Sequence, residues 1–329
     1  MTKRQHECGE PSPGTLPWIQ LQCPDEAACV RYLTAKRWPD GFRCPCCSAR
    51  KAWELKIRPG MFECASCGRQ TSVTAGTVMH GSKVPLQLWF WAAHLMATHS
   101  NGISAMQLYR QLGLGSYKTA WLLCSKLRRA MAFRDRTELV GLVEVDEAVL
   151  PFRTKNDPPT SGRGRDLRGK IAVIAGVEVV PSKKHRHAPG RVRLKAIGNF
   201  EHQTLERFVE ANVGNGTEIV TDGLSSYNGL STLGFPHRPI TIGPMAAHIV
   251  LPWVHRVFAL LKRWSLGTYH GVRRKHIQRY LEEFVYRFNR RRYRGLAFDR
   301  LLGLTMNLPP AGYRALVSHT DAMPLPLFC

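Results

Sequence analysis

Apolar residues recur every three or four positions in two stretches of the first half of the chain, and this spacing predicts helices. The first stretch runs from Asp25 to Lys36 and the second from Pro85 to about Phe133. The apolar positions are Ala27, Ala28, Val30, Tyr32 and Leu33 in the first, and Leu88, Trp91, Ala92, Leu95, Met106, Leu108 and Leu112 in the second. The second stretch is therefore expected to be entirely helical.

The pattern changes to the period of β-strands after Val143. Strand-like patterns at 171–180 and 191–200 flank a polar turn, and a helical pattern covers His202 to Val213. The later predicted elements are a strand at 218–221, a short strand at 238–242, and helices at about 252–264 and 276–292. Strands and helices in this order indicate an α/β fold.

Acidic residues interrupt the apolar strand at VEVDE, residues 143–147. Because side chains alternate along a strand, Val143 and Val145 should lie on one face, with Glu144 and Asp146 on the other. A buried carboxylate is costly unless a metal or another cation compensates its charge. Asp222 is a similar case, since it ends the strand EIVTD just before a turn.

Asp146 and Asp222 could hold one or two divalent ions if they lie at the ends of adjacent strands. Such ions activate a water or a 3′-hydroxyl and stabilise the leaving oxygen in phosphodiester chemistry. Taken alone, each aspartate could instead be a turn former or a cap.

The helix at 251–264 supplies the next candidates. Pro252 suits its first turn, and an apolar stripe runs along one side of it. His255 and Lys262 are seven residues apart, so both lie on one face that could point towards the aspartates. An ordinary surface histidine remains the alternative for His255.

The cysteines form two pairs, Cys44-x-x-Cys47 and Cys64-x-x-Cys67, separated by sixteen residues. This spacing is typical of a structural zinc site in which two turns each supply two thiolates. Cys46 could compete with Cys44 as a ligand. Buried free thiols or a redox pair are the weaker alternatives.

Residues 100–131 predict two helices joined by a Gly-containing turn, which is the pattern of a helix-turn-helix. The first helix would begin at Ser104 and the second at Ser116. Candidate DNA contacts on the second helix are Ser116, Tyr117, Lys118, Lys126, Arg128 and Arg129, with Ala120, Leu123, Leu127 and Ala130 facing inward. An ordinary helical hairpin would give a similar pattern.

Charge narrows the choice of partner. The chain of 329 residues has 47 Lys plus Arg against 24 Asp plus Glu, for a formal charge of +23. An excess spread through the whole chain indicates a polyanionic partner, most simply a nucleic acid. A ribosomal or merely soluble basic protein is the alternative. With no apolar signal region and no apolar stretch long enough for a bilayer, we expect a cytoplasmic protein without a membrane partner.

Several motifs together resemble the ISXO-type insertion-sequence transposases, also called the IS fifteen-ninety-five family. They are the two cysteine pairs, GISAMQLYRQLGL with SYKTAWLL, VEVDE, IVTDGLSSY, VHRVFALLKRWSLGTYHGV and HIQRYLEEFVYRFNRR. The resemblance covers roughly residues 15–295. It implies a bacterial, nucleoid-associated enzyme that binds terminal inverted repeats and target DNA as a homodimer or higher oligomer.

The resemblance also implies an RNase H-like catalytic domain with a DDE-type active site and two divalent ions. Asp146 and Asp222 correspond to the first two ligands of Mg²⁺ or Mn²⁺. The third ligand in many relatives is Glu or Asn with a Lys seven positions later; here these positions hold His255 and Lys262. An imidazole is a softer ligand than a carboxylate, so it should favour manganese over magnesium.

Four segments follow from the motifs and the resemblance. They are an N-terminal segment with the zinc ribbon at 1–80, a helix-turn-helix-like DNA-binding module at 81–135, an RNase H-like catalytic domain at 138–295, and a C-terminal tail at 296–329. The expected function is metal-dependent DNA strand cleavage and strand transfer. A catalytically decayed copy, or a zinc-ribbon regulator without enzymatic activity, is the alternative, and the absence of an acid at position 255 is the best argument for it.

Overall fold

The computed structural model describes residues 11–12, 14–132, 137–151, 167, 169–240 and 250–318. They divide into two compact units. Described residues before 134 and after 289 form the first, which we call the ribbon-helix unit, and those between form the second, the sheet unit. None of the described helices is both long and apolar enough to cross a membrane.

The ribbon-helix unit begins with two helices, α1 (Leu16–Gln22) and α2 (Glu26–Arg37). The Asp25 side chain caps α2 by accepting the N–H of Ala28 at 2.7 Å. A three-stranded antiparallel sheet follows, formed by β1 (Ala52–Glu54), β2 (Met61–Cys64) and β3 (Gln70–Ser72). This sheet is too small to enclose a large apolar core by itself.

Three helices in the middle of the chain confirm the helical pattern, namely α3 (Leu86–Thr98), α4 (Ala105–Gln111) and α5 (Tyr117–Ala132). Ser104 caps α4 by accepting the N–H of Gln107, and Ser116 accepts the N–H of Thr119 at the start of α5. The four α5 residues expected to face inward, Ala120, Leu123, Leu127 and Ala130, are all buried.

The outer face of α5 differs from the prediction. Arg128 and Arg129 were expected to be exposed, but they are only 1% and 6% exposed. The Arg129 guanidinium donates to the carbonyl of Pro309, in a segment whose packing the sequence pattern had not indicated. These two arginines therefore stabilise the unit and offer little surface to a ligand.

The C-terminal segment contributes two further helices to this unit, α9 (Arg294–Met306) and α10 (Tyr313–Ser318). Helix α9 contacts α2, α3 and α5. Its buried residues Phe298, Leu301, Leu302 and Thr305 form a stripe at helical spacing, and the Phe298 ring packs edge-on against Phe90. The segment from 296 is thus not a separate tail as far as residue 318, where the described residues end.

The sheet unit is built on five strands, β4 (Leu142–Pro151), β5 (Lys170–Pro181), β6 (His187–Ile197), β7 (Glu218–Thr221) and β8 (His237–Pro239). Their order is β6-β5-β4-β7-β8. The first three are antiparallel neighbours, whereas β7 runs parallel to β4 and β8 parallel to β7. Strand β4 therefore lies at the centre, where the acidic motif was predicted.

Helices cover both faces of this sheet. Helix α6 (His202–Glu210) packs on the face that holds Val143 and Val145. Helices α7 (Pro252–Tyr269) and α8 (Ile277–Asn289) pack on the opposite face, towards which Glu144 and Asp146 point. The expected α/β class, the order of its elements and the alternation of VEVDE are confirmed.

The edge strand β6 is covered by two side chains of α8. Asn289 accepts the N–H of Val192 at 2.8 Å and donates to its carbonyl. Gln278 accepts the N–H of Ala196 at 2.9 Å and donates to the carbonyl of Leu194. These bonds satisfy backbone groups that an open edge would offer to other chains.

His94 on α3 should make the stability of the ribbon-helix unit depend on pH. It is 5% exposed, and burial lowers its pKa from 6.5 to about 4. Below pH 6.5 the unfolded chain binds a proton at this histidine, whereas the folded chain resists protonation down to about pH 4. The free energy of unfolding should therefore decrease as the pH falls through this range. Between pH 6.5 and about pH 4, we expect the free energy of unfolding of the natural chain to fall by about 3 kcal/mol more than that of His94→Leu. Urea denaturation at the two pH values measures this difference.

A matched control is His80→Gln, because His80 is exposed. It should keep the pH dependence of the natural chain. If His94→Leu kept that dependence as well, burial of the imidazole would not be its cause.

Candidate functional site

One pocket of about 430 Å³ in the sheet unit brings the predicted active-site residues together. Its lining comes from β4, the residue after β7, the segment before α6 and one face of α7. The lining residues are Asp146, Glu147, Ala148, Val149, Phe200, Asp222, His255, Phe258, Ala259 and Lys262. The four residues singled out from the sequence, Asp146, Asp222, His255 and Lys262, are thus all in it.

Asp146 is 6% exposed on the central strand. Its Oδ1 accepts the N–H of Glu147 at 2.8 Å, and its Oδ2 lies 3.5 Å from Nε2 of His255. A carboxylate this buried keeps its charge only with nearby donors or cations. The backbone N–H and the imidazole are two such neighbours.

Asp222 follows β7 directly and is brought to Asp146 by the register of the two parallel strands. Glu144 pairs with Val220, so two residues further along each strand Asp146 and Asp222 reach the same level of the sheet. The Oδ1 of Asp222 accepts the N–H of Leu224 at 3.1 Å, across a turn in which Gly223 has a φ of +79°. This turn requires the left-handed conformation that glycine adopts readily.

Glu144 explains why β4 carries a second acid on the same face. One of its carboxylate oxygens accepts the N–H groups of Trp253 and Val254, both at 2.8 Å, at the start of α7. Burial raises the pKa of Glu144 to about 7, although these two N–H bonds act in the opposite direction. The acid satisfies donors that the first turn of a helix leaves without an intrahelical partner.

The fixed start of α7 determines where its candidate residues lie. His255 is the next residue after Val254, and it is partly buried beside Asp146. Lys262 lies two turns further along the same face, exposed to solvent at the pocket.

Glu147 and Tyr227 belong to the site although sequence reasoning gave them no role. Tyr227 is completely buried in the turn after Asp222, and its hydroxyl donates to the Glu147 carboxylate. Burial first, and then the negative charge of Glu147, raise the pKa of Tyr227 well above its usual value. The DE dipeptide and the SSY of IVTDGLSSY were the available signals, but only the fold makes them neighbours.

The four predicted zinc ligands form a second cluster, in the ribbon-helix unit. Their sulfur atoms lie within 4.8 Å of one another, with 3.7 Å between Cys44 and Cys67 and 3.5 Å between Cys47 and Cys64. Backbone N–H groups, first that of Cys47, lower the pKa of Cys44 to about 6, which favours the thiolate. Cys46 is exposed and is not part of the cluster.

No other set of three or more potential metal-binding residues in the described ranges is as compact as this cluster. Asp146, Asp222 and His255 share a pocket, but their ligand atoms do not all lie within 4.8 Å of one another.

The remaining candidate DNA contacts lie on α5, and two connections of the sheet unit, 161–170 and 182–191, are also rich in basic residues. Ser116, Tyr117 and Lys118 are exposed at the start of α5, with the Lys118 ammonium 4.5 Å from the ring centre of Tyr313. Lys126 is partly buried beside Trp89. The basic segment 182–191 includes the exposed turn between β5 and β6, whereas most of segment 161–170 lies outside the described residues.

Two family models match the chain. The ISXO2-like transposase domain matches residues 138–289, and the transposase zinc-ribbon domain matches residues 24–70. The chain thus contains an ISXO2-like transposase domain preceded by a transposase zinc-ribbon domain. The matched ranges contain the pocket and the four clustered cysteines, respectively. No curated protein matches the chain.

The match to the ISXO2-like transposase domain confirms the resemblance that the motifs indicated. It also agrees with the fold, since a zinc ribbon precedes a mixed α/β unit consistent with an RNase H-like domain. Domains of this kind are those of DDE transposases, which cleave and transfer DNA.

Glu144 should contribute to stability through the start of α7. In Glu144→Ala, two buried helix N–H groups lose their acceptor, and we expect the free energy of unfolding to fall by about 2 kcal/mol. Urea denaturation at neutral pH measures this change.

Glu218→Ala is the matched control, because Glu218 forms an exposed ion pair with Arg238 on neighbouring strands of the same sheet. Its expected cost is below about 1 kcal/mol. Equal losses in the two variants would contradict the proposed importance of the Glu144 contacts.

Proposed function

We propose that the chain is an active transposase that binds the terminal inverted repeats of its element, cleaves the DNA at their ends, and joins the 3′-hydroxyl to target DNA. The observation that carries this proposal is that Asp146, Asp222, His255 and Lys262 line one and the same pocket. Two carboxylates with an imidazole and a lysine suit the hydrolysis and transesterification of phosphodiesters.

The donors in the pocket suit divalent ions. Asp146 and Asp222 provide hard oxygen ligands for Mg²⁺ or Mn²⁺, and His255 provides a nitrogen that Mn²⁺ accepts more readily. Bound ions of this kind supply activation of a water or 3′-hydroxyl and charge stabilisation of the leaving oxygen. Asp146, Asp222 and His255 share the pocket without forming a compact cluster. This arrangement suits ligands that serve more than one ion or that move when the ion binds.

The protein itself orients the groups that act on the DNA. The N–H of Glu147 donates to one carboxylate oxygen of Asp146. The N–H of Leu224 donates in the same way to one carboxylate oxygen of Asp222. Glu144 fixes the start of α7 and so keeps His255 beside Asp146. Lys262, exposed at the pocket, would contact a phosphate near the scissile bond.

We further propose that Cys44, Cys47, Cys64 and Cys67 bind one structural Zn²⁺. Four sulfur atoms this close fit a tetrahedral ion, and a three-stranded sheet with little core needs such a crosslink. We expect elemental analysis to find one zinc per chain, and Cys44→Ser to lose both the metal and the resistance of the ribbon to proteolysis. Full zinc content in Cys44→Ser would contradict this assignment.

DNA binding is assigned to the ribbon-helix unit, with Ser116, Tyr117 and Lys118 as the accessible candidates at the start of α5. The formal charge of +23 supports a DNA partner for the whole chain. Bringing two transposon ends together calls for a homodimer or a higher oligomer. With DNA as its substrate, the protein would act at the bacterial nucleoid.

A second candidate function is that of a decayed copy or a regulator that binds DNA without cutting it. The observation favouring it is His255, which stands at the position where the family resemblance implies Glu or Asn. Both candidates use the zinc ribbon and the basic surface, so only a strand cleavage assay separates them.

Asp146→Asn and Asp222→Asn should each reduce cleavage of a terminal-repeat duplex by more than about a thousandfold, because the divalent ion loses a charged ligand. Binding to the same duplex, measured by gel shift, should stay within about threefold, since few phosphate contacts change. Glu210→Gln, at an exposed site on α6, is the control and should cut normally. Cleavage at the natural rate by either Asn variant would show that the site is wrongly assigned.

His255 should set the metal preference. We expect His255→Ala to lose activity in both metals but more in Mg²⁺ than in Mn²⁺, since Mg²⁺ tolerates an incomplete ligand set less well. His255→Glu, which introduces the acid found in relatives, should raise the ratio of activity in Mg²⁺ to activity in Mn²⁺. The same cleavage assay measures both variants, and an unchanged metal profile in both would argue against His255 as a ligand.

A further inference from the structure

The loop between β1 and β2 of the zinc ribbon presents an apolar side chain to solvent. Ile57 at its tip is 95% exposed, whereas the next most exposed large apolar residue of the described chain, Tyr293, is 66% exposed. Isolated apolar residues are common on protein surfaces, so exposure alone does not indicate a site. The local backbone and the neighbouring charges are what distinguish Ile57.

The loop consists of two consecutive turns with contrasting residues. In the second turn the N–H of Met61 donates to the carbonyl of Arg58, and Pro59 and Gly60 occupy the centre, with Gly60 at a φ of +80°. Proline followed by glycine is the preferred content of such a turn. The demands of folding explain this half of the loop completely.

The first turn does not follow these preferences. The N–H of Arg58 donates to the carbonyl of Leu55 at 3.0 Å, which places Lys56 and Ile57 at the centre. A β-branched apolar residue is a poor choice there compared with Gly, Asn, Asp or Ser. Since Ile57 is almost fully exposed, it gains little from packing, and a local departure of this kind points to function.

Both neighbours of Ile57 are exposed cations, Lys56 and Arg58. An apolar tip between two positive charges complements one type of surface especially well, a nucleic acid duplex with phosphates on either side of a groove. Proteins that bind the minor groove use apolar side chains, isoleucine among them, as wedges between base pairs.

We propose that Ile57 is such a wedge: it enters a base step from the minor groove of the DNA that the ribbon contacts, while Lys56 and Arg58 bind the flanking phosphates. This proposal rests on the proposed function, because it needs DNA as the ligand. It adds Ile57 to the proposed DNA contacts, at a place outside both the cysteine cluster and the start of α5. It also implies that the DNA is kinked at the base step that Ile57 enters.

The base of the loop is held firmly, as a wedge requires. The Glu54 carboxylate accepts the N–H of Gly60 at 2.6 Å, and the carbonyl of Gly60 accepts the N–H of Val73 on the segment after β3 at 2.8 Å. A Cβ atom at Gly60 would come within 3.1 Å of Val30 on α2, so the loop packs closely there. A tip that is ordered before binding loses less conformational entropy when it inserts.

The test uses the full-length protein and a duplex of its terminal repeat in which 2-aminopurine replaces adenine, one position at a time. The natural chain should increase the fluorescence at one step, since unstacking relieves quenching there. Ile57→Ser should lose most of this increase and bind about tenfold more weakly, whereas Ile57→Met should retain the signal. Leu21→Ser is the matched control, as Leu21 is 62% exposed on α1.

The flanking cations are tested separately. The double variant Lys56→Ser and Arg58→Ser should bind DNA more weakly, and its binding constant should depend less on salt, by the amount expected for about two lost phosphate contacts. At saturating protein it should still give the fluorescence increase. Zinc content close to that of the natural chain would show that each variant keeps its ribbon folded.

Three outcomes would overturn the wedge, and they are distinguishable. Binding by the natural chain without unstacking at any position would reject the wedge and leave the proposed function intact. Normal unstacking by Ile57→Ser, together with a loss of self-association in sedimentation, would assign the tip to a contact between copies of the chain. No binding to the repeat duplex at all would reject both proposals.

Discussion

The sheet unit depends on one contact, between the acidic face of β4 and the first turn of α7. Glu144 accepts two N–H groups there, at Trp253 and Val254, and Asp146 lies two residues further along the same face. The helix start thus compensates a buried charge, and the next residue of the helix, His255, reaches 3.5 Å from Asp146. The contact that fixes the start of the helix thus also determines where the histidine and Lys262 lie in the pocket.

His255 stands at a position where the family resemblance implies Glu or Asn. In our proposal the imidazole leaves the site one negative charge weaker than a carboxylate would. Glu147, the next residue on β4, also lines the pocket, and its carboxylate accepts a hydrogen bond from the buried Tyr227 hydroxyl. In the proposed site, the carboxylates of Asp146 and Asp222 would attract a divalent cation, and the softer imidazole would alter which cation binds best.

Features encoded by local spacing were predictable from the sequence, and features that need distant partners were not. The alternation of side chains along a strand placed Glu144 and Asp146 on one face of β4. The separation of seven residues, about two helical turns, placed His255 and Lys262 on one face of α7. The burial of Arg128 and Arg129 depends on a C-terminal segment that includes Pro309. The sequence around the two arginines does not indicate that this distant segment packs against them. The Glu147–Tyr227 pair joins residues eighty positions apart, so only the parallel register of β4 and β7 brings them together.

The central claim is that the side chains of Asp146, Asp222 and His255 hold a common divalent ion, and anomalous diffraction from crystals soaked in Mn²⁺ tests it most directly. The account predicts a strong anomalous peak inside the pocket, bonded to oxygens of both aspartates and to the imidazole, and its disappearance in Asp146→Asn crystals. A pocket without a peak, or a peak that involves neither aspartate, would contradict the account.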